Sequence, residues 1–392
     1  MNIALEPLDP RYTHAQSGLN KTWLNDAIAE VLAKVDAMLP RFSSTFPSAS
    51  GTGGVYPVVE KVDWTEGFWT GMLWLAREVT GDNKYRDVAE NLLDSFEERL
   101  DKHIKVDTHD LGFLYLLSCV NAWRLTGNLR ARELALRAAD LLYQRFNATA
   151  GVIQAWGDLT DPARQGRMII DCNLNVPLLF WAADETGNTR YREAATQHLA
   201  QAARYLVRED ASTFHTYYMD IHTGQPLRGD THQGFSDDSC WARGQAWGIY
   251  GFALGFNHTG DASQPELSRR LAHYFLNRLP EDYVCYWDLI FTRQDNALRD
   301  TSAAAIAVCG LAELLKILPL TDPLRPAYGN GIELMMRNLR AHYFAHQQDG
   351  LLREGVYNFG RNMGINEPNI WGDYFYFEAL VRLSRIWTPY FC

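Results

Sequence analysis

The stretch WTGMLWLAREVTGDNKYRDVAENLLDSFEERL, residues 69–100, contains two helical patterns separated by a short break. Its first half is apolar on almost every side, whereas its second half carries apolar residues at helical spacing among charged ones. The break at Thr80, Gly81 and Asp82 combines a glycine that can end a helix with a polar residue that can begin the next. The stretch therefore predicts a helical hairpin with one buried and one amphipathic helix.

The same design recurs along the chain. The Thr-Gly break followed by Asp or Asn begins again at Thr126, Thr186 and Thr259. Further helical stretches follow the same alternation, and they are residues 111–146, 172–206, 242–279 and 300–344. The helices predicted at 20–39 and 371–386 lack a neighbour in sequence, and pairing them closes a ring. We therefore predict an all-α fold, an (α/α)6 barrel of six hairpins.

This barrel is predicted to form a single domain over residues 1–392, with an N-terminal arm over 1–19 and a Ser/Gly-rich loop over 40–62. Within that loop, SASGTGGVYP (48–57) has no Gly-Lys-Ser/Thr ending and no preceding strand, so it is interpreted as a flexible loop rather than a phosphate loop. An open helical solenoid, which would serve as a binding scaffold, is the rival architecture. The uneven spacing of the Thr-Gly breaks favours the barrel.

Composition excludes several classes of protein. The 392 residues include 37 basic and 47 acidic side chains, a net charge of −10 that argues against binding to nucleic acid or a membrane surface. The six cysteines show no metal-ligand spacing, and Cys119 and Cys309 lie in apolar runs, which indicates a reducing compartment. No signal peptide or membrane span is visible. We expect a cytoplasmic monomer.

Aspartates stand where the predicted inner helices begin. These residues are Asp63, Asp110, Asp171, Asp237, Asp300 and Asp373. An N-cap role explains an aspartate at such a position without any function. Four of the six openings, however, also bring tryptophan, histidine or arginine to what should be one end of the barrel. Aromatic rings stack on sugar faces and carboxylates move protons, so the pattern favours a pocket that acts on sugars.

Asp171 follows three apolar residues in GRMIIDCNLN (166–175). It could be a helix N-cap, but an acid in apolar surroundings also retains its proton, as a catalytic proton donor requires. Asp110, on the neighbouring inner helix, is its best acid/base partner. No metal is expected, because His215 and His232 lie on separate loops and no HExxH motif occurs. The local signatures of a serine or cysteine nucleophile are missing as well.

Two motifs resemble the unsaturated glucuronyl hydrolases, family 88 of the glycoside hydrolases. They are HDLGF at 109–113 and RMIIDC at 167–172. Further similar positions follow in the same order along most of the chain, namely Asp63-Trp64, Gln154-Ala-Trp156, His215, His232-Gln233, Trp241-Ala-Arg243-Gly-Gln-Ala-Trp247 and Ile370-Trp-Gly-Asp373. The resemblance implies the six-hairpin barrel independently of the helix count.

The resemblance also implies a reaction that needs no cofactor. Such enzymes remove a non-reducing uronate with a C4=C5 double bond from glycosaminoglycan fragments left by polysaccharide lyases. Asp171 would protonate C4 and assist the attack of water at C5, after which the hemiketal opens and releases the rest of the glycan. Asp110 would hold the ring hydroxyls of the uronate. The pocket would be lined by Trp64, His109, Trp156, His215, Gln233, Arg243 and Trp247.

Some of these residues allow a purely structural interpretation. Arg243 could form an interhelix salt bridge, and His215 could be a buried structural histidine. Trp69 and Trp74, inside a predicted helix, are expected in the core. By contrast, Trp64 and Trp156 precede helices or lie on loops, which favours sugar stacking.

Two alternative functions remain open from sequence. The related unsaturated rhamnogalacturonyl hydrolases share the fold and the chemistry but act on pectin fragments, and a carbohydrate-binding scaffold would bind without turnover. Sulfate preference and linkage preference are also open. Residues 355–363 depart from the Ser/Lys-rich stretch of family members that act on sulfated chondroitin units, although Arg361 could replace the lysine.

Overall fold

The computed structural model describes residues 3–14, 18–61 and 64–392. Asp63, predicted to begin an inner helix, lies outside the described residues. The helices are α1 (Lys21–Met38), α2 (Glu66–Thr80), α3 (Asn83–Asn91), α4 (Leu93–Asp101), α5 (Leu111–Tyr115), α6 (Asn121–Thr126), α7 (Leu129–Gln144), α8 (Pro177–Thr186), α9 (Thr189–Tyr205), α10 (Ala242–Thr259), α11 (Ser263–Asn277), α12 (Thr301–Ile317), α13 (Arg325–Asn338) and α14 (Ile370–Ser384). A π-helical segment, Leu116–Val120, joins α5 to α6, and a 3-10 segment, Ile170–Leu174, precedes α8.

The strands are short and pair antiparallel. They are β1 (Phe46–Pro47), β2 (Val58–Val59), β3 (Phe146–Asn147), β4 (Val152–Ile153), β5 (Arg167–Ile169), β6 (Thr216–Met219), β7 (Pro226–Asp230), β8 (Gly355–Asn358) and β9 (Met363–Glu367). The β5-β6-β7 sheet is three-stranded, and the others are two-stranded hairpins: β1-β2, β3-β4 and β8-β9. These strands lie in the connections between helices.

Six helical hairpins close into a ring, which confirms the predicted barrel. The inner wall consists of α2, the α5–α6 unit, α8, α10, α12 and α14. Five inner helices are each followed in sequence by an outer one, whereas α14, the sixth, packs on both α1 and α2, which joins the two ends of the chain. The α5–α6 unit contains the π-helical turn, and it packs through that turn against α2 and α7.

Burial separates the inner helices from the outer ones as predicted. Every residue of α12 from Thr301 to Leu314 is buried, and so is every residue of α10 from Ala242 to Gly255. An outer helix such as α7 buries only one face. Trp69 and Trp74 are both fully buried, which confirms their place in the core. No helix within the described residues is long and apolar enough to cross a membrane.

The Thr-Gly breaks end four inner helices in the same way. Gly81, Gly127, Gly187 and Gly260 adopt positive φ angles between 69° and 75°. At each break the threonine hydroxyl donates to the carbonyl four residues earlier in the helix. Because a left-handed residue at this point strains any side chain, glycine is required, and the inner and outer helices turn back on each other within two or three residues.

The Ser/Gly-rich segment has more structure than the sequence analysis predicted. It forms the β1-β2 hairpin, and the backbone N–H groups of Gly53 and Gly54 each donate to the carboxylate of Glu367 at 2.8 Å. Ser50 also pairs with Asn369 in an isolated bridge. Hydrogen bonds therefore hold the predicted flexible loop against the β8-β9 hairpin.

Most of the aspartates near the N-termini of the inner helices are not helix caps. Asp300 caps α12, since its carboxylate accepts from the backbone N–H of Ser302 at 3.1 Å. Asp110 stands at the N-cap of α5 but makes no capping hydrogen bond, and Asp171 lies inside the 3-10 segment. Asp373 lies in the first turn of α14. Asp171 is therefore not a helix N-cap, and its position requires a different explanation.

Candidate active site

A cavity of about 460 Å³ opens at the end of the barrel where the inner helices begin. This volume is typical of small-molecule sites. Seven of the nine predicted site residues lie in its wall, and these are Trp64, Asp110, Trp156, Asp171, Gln233, Arg243 and Trp247. The other two, His109 and His215, are not among the described residues that line the cavity, because both are buried behind its wall.

The centre of the site is a cluster of His109, Asp110 and Asp171. Nε2 of His109 lies 3.4 Å from Oδ1 of Asp110 and 3.3 Å from Oδ1 of Asp171. The imidazole is fully buried, which opposes a charge, yet the carboxylates of Asp110 and Asp171 raise the pKa of His109 well above its ordinary value. The two acids therefore favour the protonated form of His109.

The two acids differ in environment. Burial raises the pKa of Asp110 to about 6, the charge of His109 opposes this rise, and the charge of Asp171 adds to it. The Thr108 hydroxyl donates to Oδ2 of Asp110 at 2.7 Å and fixes its orientation. Asp171, in contrast, has 18% of its side chain exposed. Asp171 is therefore the more accessible of the two acids.

The predicted apolar wall around Asp171 is wrong. Met168, Ile169 and Ile170 are buried in the core, on β5 and at the start of the 3-10 segment. The carboxylate of Asp171 lies instead beside His109, in the wall of the cavity. Sequence adjacency was misleading here because side chains of an extended strand and of a 3-10 turn leave the backbone in different directions.

Arg243 forms the salt bridge that the sequence left open, and it also lines the cavity. Nη1 donates to Asp300 at 2.6 Å and to the Val356 carbonyl at 2.7 Å. Nη2 donates to Oε1 of Gln233 and to the Tyr357 carbonyl, both at 2.7 Å. The guanidinium is almost completely buried. Arg243 therefore joins α10 to α12 and holds β8 and Gln233 at the cavity.

Replacing Arg243 with alanine should lower the free energy of unfolding by about 3 kcal/mol, because it leaves Asp300 buried without its counter-charge. Urea denaturation of the two proteins measures the difference. Arg164→Ala is the matched control: this cavity arginine is half exposed and pairs with Asp161 at 3.1 Å, so its removal should cost less than about 1 kcal/mol. Equal effects of the two substitutions would contradict a stabilising role for Arg243.

His215 supports a loop rather than forming the cavity wall. Its Nδ1 accepts from the backbone N–H groups of His232 and Gln233 at 2.9 and 3.1 Å. Burial, together with the charges of His232 and Arg243, holds the pKa of His215 well below its ordinary value. The neutral ring therefore keeps an acceptor at Nδ1, and the structural interpretation of His215 explains these contacts.

A layered arrangement of cations and rings forms one side of the cavity. The guanidinium of Arg167 lies 3.6 Å from the ring centroid of Trp156, and the Trp156 ring lies 4.9 Å from that of His232. Nη2 of Arg361 lies 3.1 Å from Nε2 of His232. The cation–π contact and the ring contact together fix the face that Trp156 presents to the cavity.

Cationic side chains are numerous in the wall of the cavity although the chain is acidic. Five cationic side chains line it, namely Lys105, Arg164, Arg167, Arg243 and Arg361. Three acidic side chains oppose them, namely Asp107, Asp110 and Asp171. Arg167 lies in the motif RMIIDC, but the sequence predicted no role for it or for Lys105 and Arg164. These cationic side chains give an anionic ligand local counter-charges in an acidic protein.

The tryptophans occupy different levels of the cavity. Trp64 donates from Nε1 to the Tyr357 hydroxyl at 2.8 Å, and its ring lies 5.0 Å from that of Trp371. Trp247 is buried and packs 5.4 Å from Phe113, so it forms the floor. Trp64 and Trp156 are therefore the indoles that can offer a face to a sugar ring.

The three central side chains also have the composition of a metal site. The ligand atoms of His109, Asp110 and Asp171 lie within 4.8 Å of one another. A metal ion would compete with a proton for His109, because the carboxylates of Asp110 and Asp171 raise the pKa of that imidazole. We therefore expect activity to survive exhaustive dialysis against a chelator. Loss of turnover that a divalent ion restores, compared with a dialysed sample without chelator, would contradict this expectation.

A barrel of helical hairpins whose open end joins paired carboxylates, tryptophans and cations defines a carbohydrate-active hydrolase. The chain belongs to glycosyl hydrolase family 88, whose family model matches residues 38–353. It is 45% identical over 375 residues to the unsaturated chondroitin disaccharide hydrolase of Streptococcus pneumoniae, covering 95% of this chain and 94% of that protein.

Solved structures agree with this assignment. The crystal structure of an unsaturated glucuronyl hydrolase from Streptococcus agalactiae matches with a TM-score of 0.96 at 42% identity, covering 100% of this chain and 99% of that one. A mutant of the S. agalactiae enzyme, complexed with dGlcA-GalNAc6S, matches with a TM-score of 0.89 at 40% identity, covering 100% and 99%. The chain described here is therefore a glycoside hydrolase.

Proposed function

We propose that this hydrolase removes the unsaturated glucuronic acid from the non-reducing end of glycosaminoglycan fragments by hydrating its C4=C5 bond. The observation that carries the proposal is the partly exposed carboxyl of Asp171 beside His109, in a cavity whose wall includes five cationic side chains. The names of the relatives, which include unsaturated chondroitin disaccharide hydrolase, support the substrate class.

In this proposal Asp171 acts first as an acid. The uronate carboxylate binds in a cavity lined by cations, which brings the C4=C5 bond beside the carboxyl of Asp171. Asp171 then gives its proton to C4 while electrons of the ring oxygen stabilise the developing positive charge at C5. His109 positions both acids from behind the wall.

Asp171 then acts as a base. Having lost its proton, it accepts one from the water that attacks C5, so the acid is regenerated within one turnover. The hemiketal at C5 opens by cleavage of its bond to the ring oxygen. The hemiacetal oxygen left on C1 then expels the remaining glycan with its glycosidic oxygen. Asp110, fixed by Thr108, accepts hydrogen bonds from the ring hydroxyls.

The function is tested by a panel of unsaturated disaccharides generated by lyases from chondroitin, hyaluronan, heparin and pectin. Loss of the double-bond absorbance reports turnover. Turnover of glycosaminoglycan disaccharides is the expected result. Turnover of the rhamnogalacturonan product alone would favour the pectin alternative, and binding without loss of absorbance would favour a carbohydrate-binding scaffold. Sulfated and unsulfated members of each pair show whether Arg361 takes the place of a sulfate-binding lysine.

We also propose that the protein acts inside the cell as a monomer, on small oligosaccharides rather than on nucleic acid or membranes. The net charge of −10 supports the absence of nucleic acid among its partners. Five of its six cysteines are buried free thiols, which supports a reducing compartment.

A further inference from the structure

Beyond the catalytic cavity, we propose that an aromatic platform on its rim binds the third and later sugar rings of a longer glycan. The platform consists of Phe235, Trp287, Phe291 and Phe359. The proposal rests on the proposed function for its substrate class and extends it from disaccharides to oligosaccharides. A glycan whose non-reducing end reaches Asp171 must leave through the mouth of the cavity.

The platform is a continuous set of ring contacts. The rings of Trp287 and Phe359 stack with centroids 4.7 Å apart and an interplanar angle of 17°. Phe235 packs edge-on against Trp287 at 6.3 Å and against Phe291 at 5.1 Å. Trp287 is buried under the others, whereas Phe235 and Phe359 are 55% and 47% exposed. Two phenylalanine rings are thus held at the surface by a buried indole.

The loops that carry the exposed rings also form the cavity. Gln233, two residues before Phe235, lies in the cavity wall. On the β8-β9 hairpin, Asn358 and Arg361 lie in the same wall on either side of Phe359. The platform therefore begins where the cavity ends, and a chain leaving the cavity on this side passes directly over it.

Hydrogen bonds hold both loops in place. The backbone N–H of Phe235 donates to Oδ2 of Asp288 at 2.9 Å, and the buried carboxylate of Asp288 also accepts from the Ser239 hydroxyl at 2.7 Å. In the β8-β9 turn, the Phe359 carbonyl accepts from the backbone N–H of Asn362 at 3.0 Å. The exposed rings thus lie on turns that are already ordered, so binding a sugar costs little conformational entropy.

The platform suits a sugar better than a second copy of the chain. A fully buried aromatic side chain covers about 150–250 Å². Two half-exposed rings therefore offer far less than the about 800 Å² per partner that a stable dimer buries. Stacking of a pyranose face on one or two rings requires only such an area, and the axial C–H groups of the sugar meet the negative face of the ring.

The test compares unsaturated disaccharide and tetrasaccharide prepared from one polysaccharide, which share the same terminal uronate. For the double variant Phe235→Ala/Phe359→Ala, we expect KM for the tetrasaccharide to rise about fivefold relative to KM for the disaccharide. Phe359→Trp should keep the wild-type ratio, because it keeps a stacking face. Leu320→Ala, which removes an 88% exposed apolar side chain elsewhere, is the matched control and should also keep that ratio.

Each of the other outcomes contradicts either the platform or the proposed function. An unchanged ratio of KM values in the double variant overturns the platform, as does a wild-type dimer that the double variant converts to a monomer in sedimentation. Absence of disaccharide turnover by the wild-type protein would instead contradict the proposed function. Circular dichroism and the disaccharide kcat of each variant show whether the substitutions have disturbed folding.

Discussion

Asp171→Asn should slow turnover of an unsaturated disaccharide at least about a thousandfold. The substitution keeps the shape of the side chain but removes the only proton that Asp171 can give to C4 and later recover from water. Asp171 makes no capping hydrogen bond and is partly exposed, so the free energy of unfolding should change by less than about 1 kcal/mol. The substitution should therefore lower kcat while the protein stays folded.

Absorbance assays and urea denaturation of the same preparations separate the two effects. Asp261→Asn is the matched control, because Asp261 is exposed, accepts from the backbone N–H of Ser263 at 2.9 Å, and lies at the opposite end of α10 from the cavity. The amide oxygen of asparagine can accept the same hydrogen bond from Ser263, so both activity and stability should be kept. Turnover by Asp171→Asn close to the wild-type rate would remove Asp171 from the mechanism.

The helical ring could be predicted from sequence because its signals are local. Apolar periodicity and the break at Thr80, Gly81 and Asp82 lie within a single window of residues, and the structure repeats them hairpin by hairpin. The same signals predicted which end of the barrel carries the site, because every inner helix begins at that end. Asp110 and Asp171 line the cavity for this reason, whereas Trp156 and Gln233, which also line it, were implied by the family resemblance alone.

The loops could not be predicted because their conformation depends on distant partners. The carboxylate of Glu367 that holds Gly53 lies 314 residues away in sequence, and no local pattern indicates such a pair. His109 illustrates the same limit for the site. Its motif was recognised, but its burial beside two acids, and hence the direction of its pKa shift, follows only from how α5 meets the 3-10 segment. The same is true of Arg167, whose role depends on Trp156.

The second prediction with a large effect separates hydration from ordinary glycoside hydrolysis. Two carboxylates on neighbouring helices could also act as acid and nucleophile, or as acid and base, at the anomeric carbon. Attack at C1 needs no double bond, whereas protonation of C4 is impossible without one. A saturated glucuronide with the same leaving sugar should therefore be cleaved at least about a thousandfold more slowly than the unsaturated substrate.

Isotopes locate the reacting carbons directly. Turnover in heavy water should place deuterium at C4, and turnover in oxygen-18 water should place the label at C5, because Asp171 delivers its proton to C4 and water attacks C5. The product ketone and aldehyde exchange with water, so the reaction is run as a single turnover and trapped at once with borohydride. Unlabelled product carried through the same steps measures the exchange. Label at C1 above that background, together with cleavage of the saturated analogue, would show that Asp171 and Asp110 act at the anomeric carbon instead.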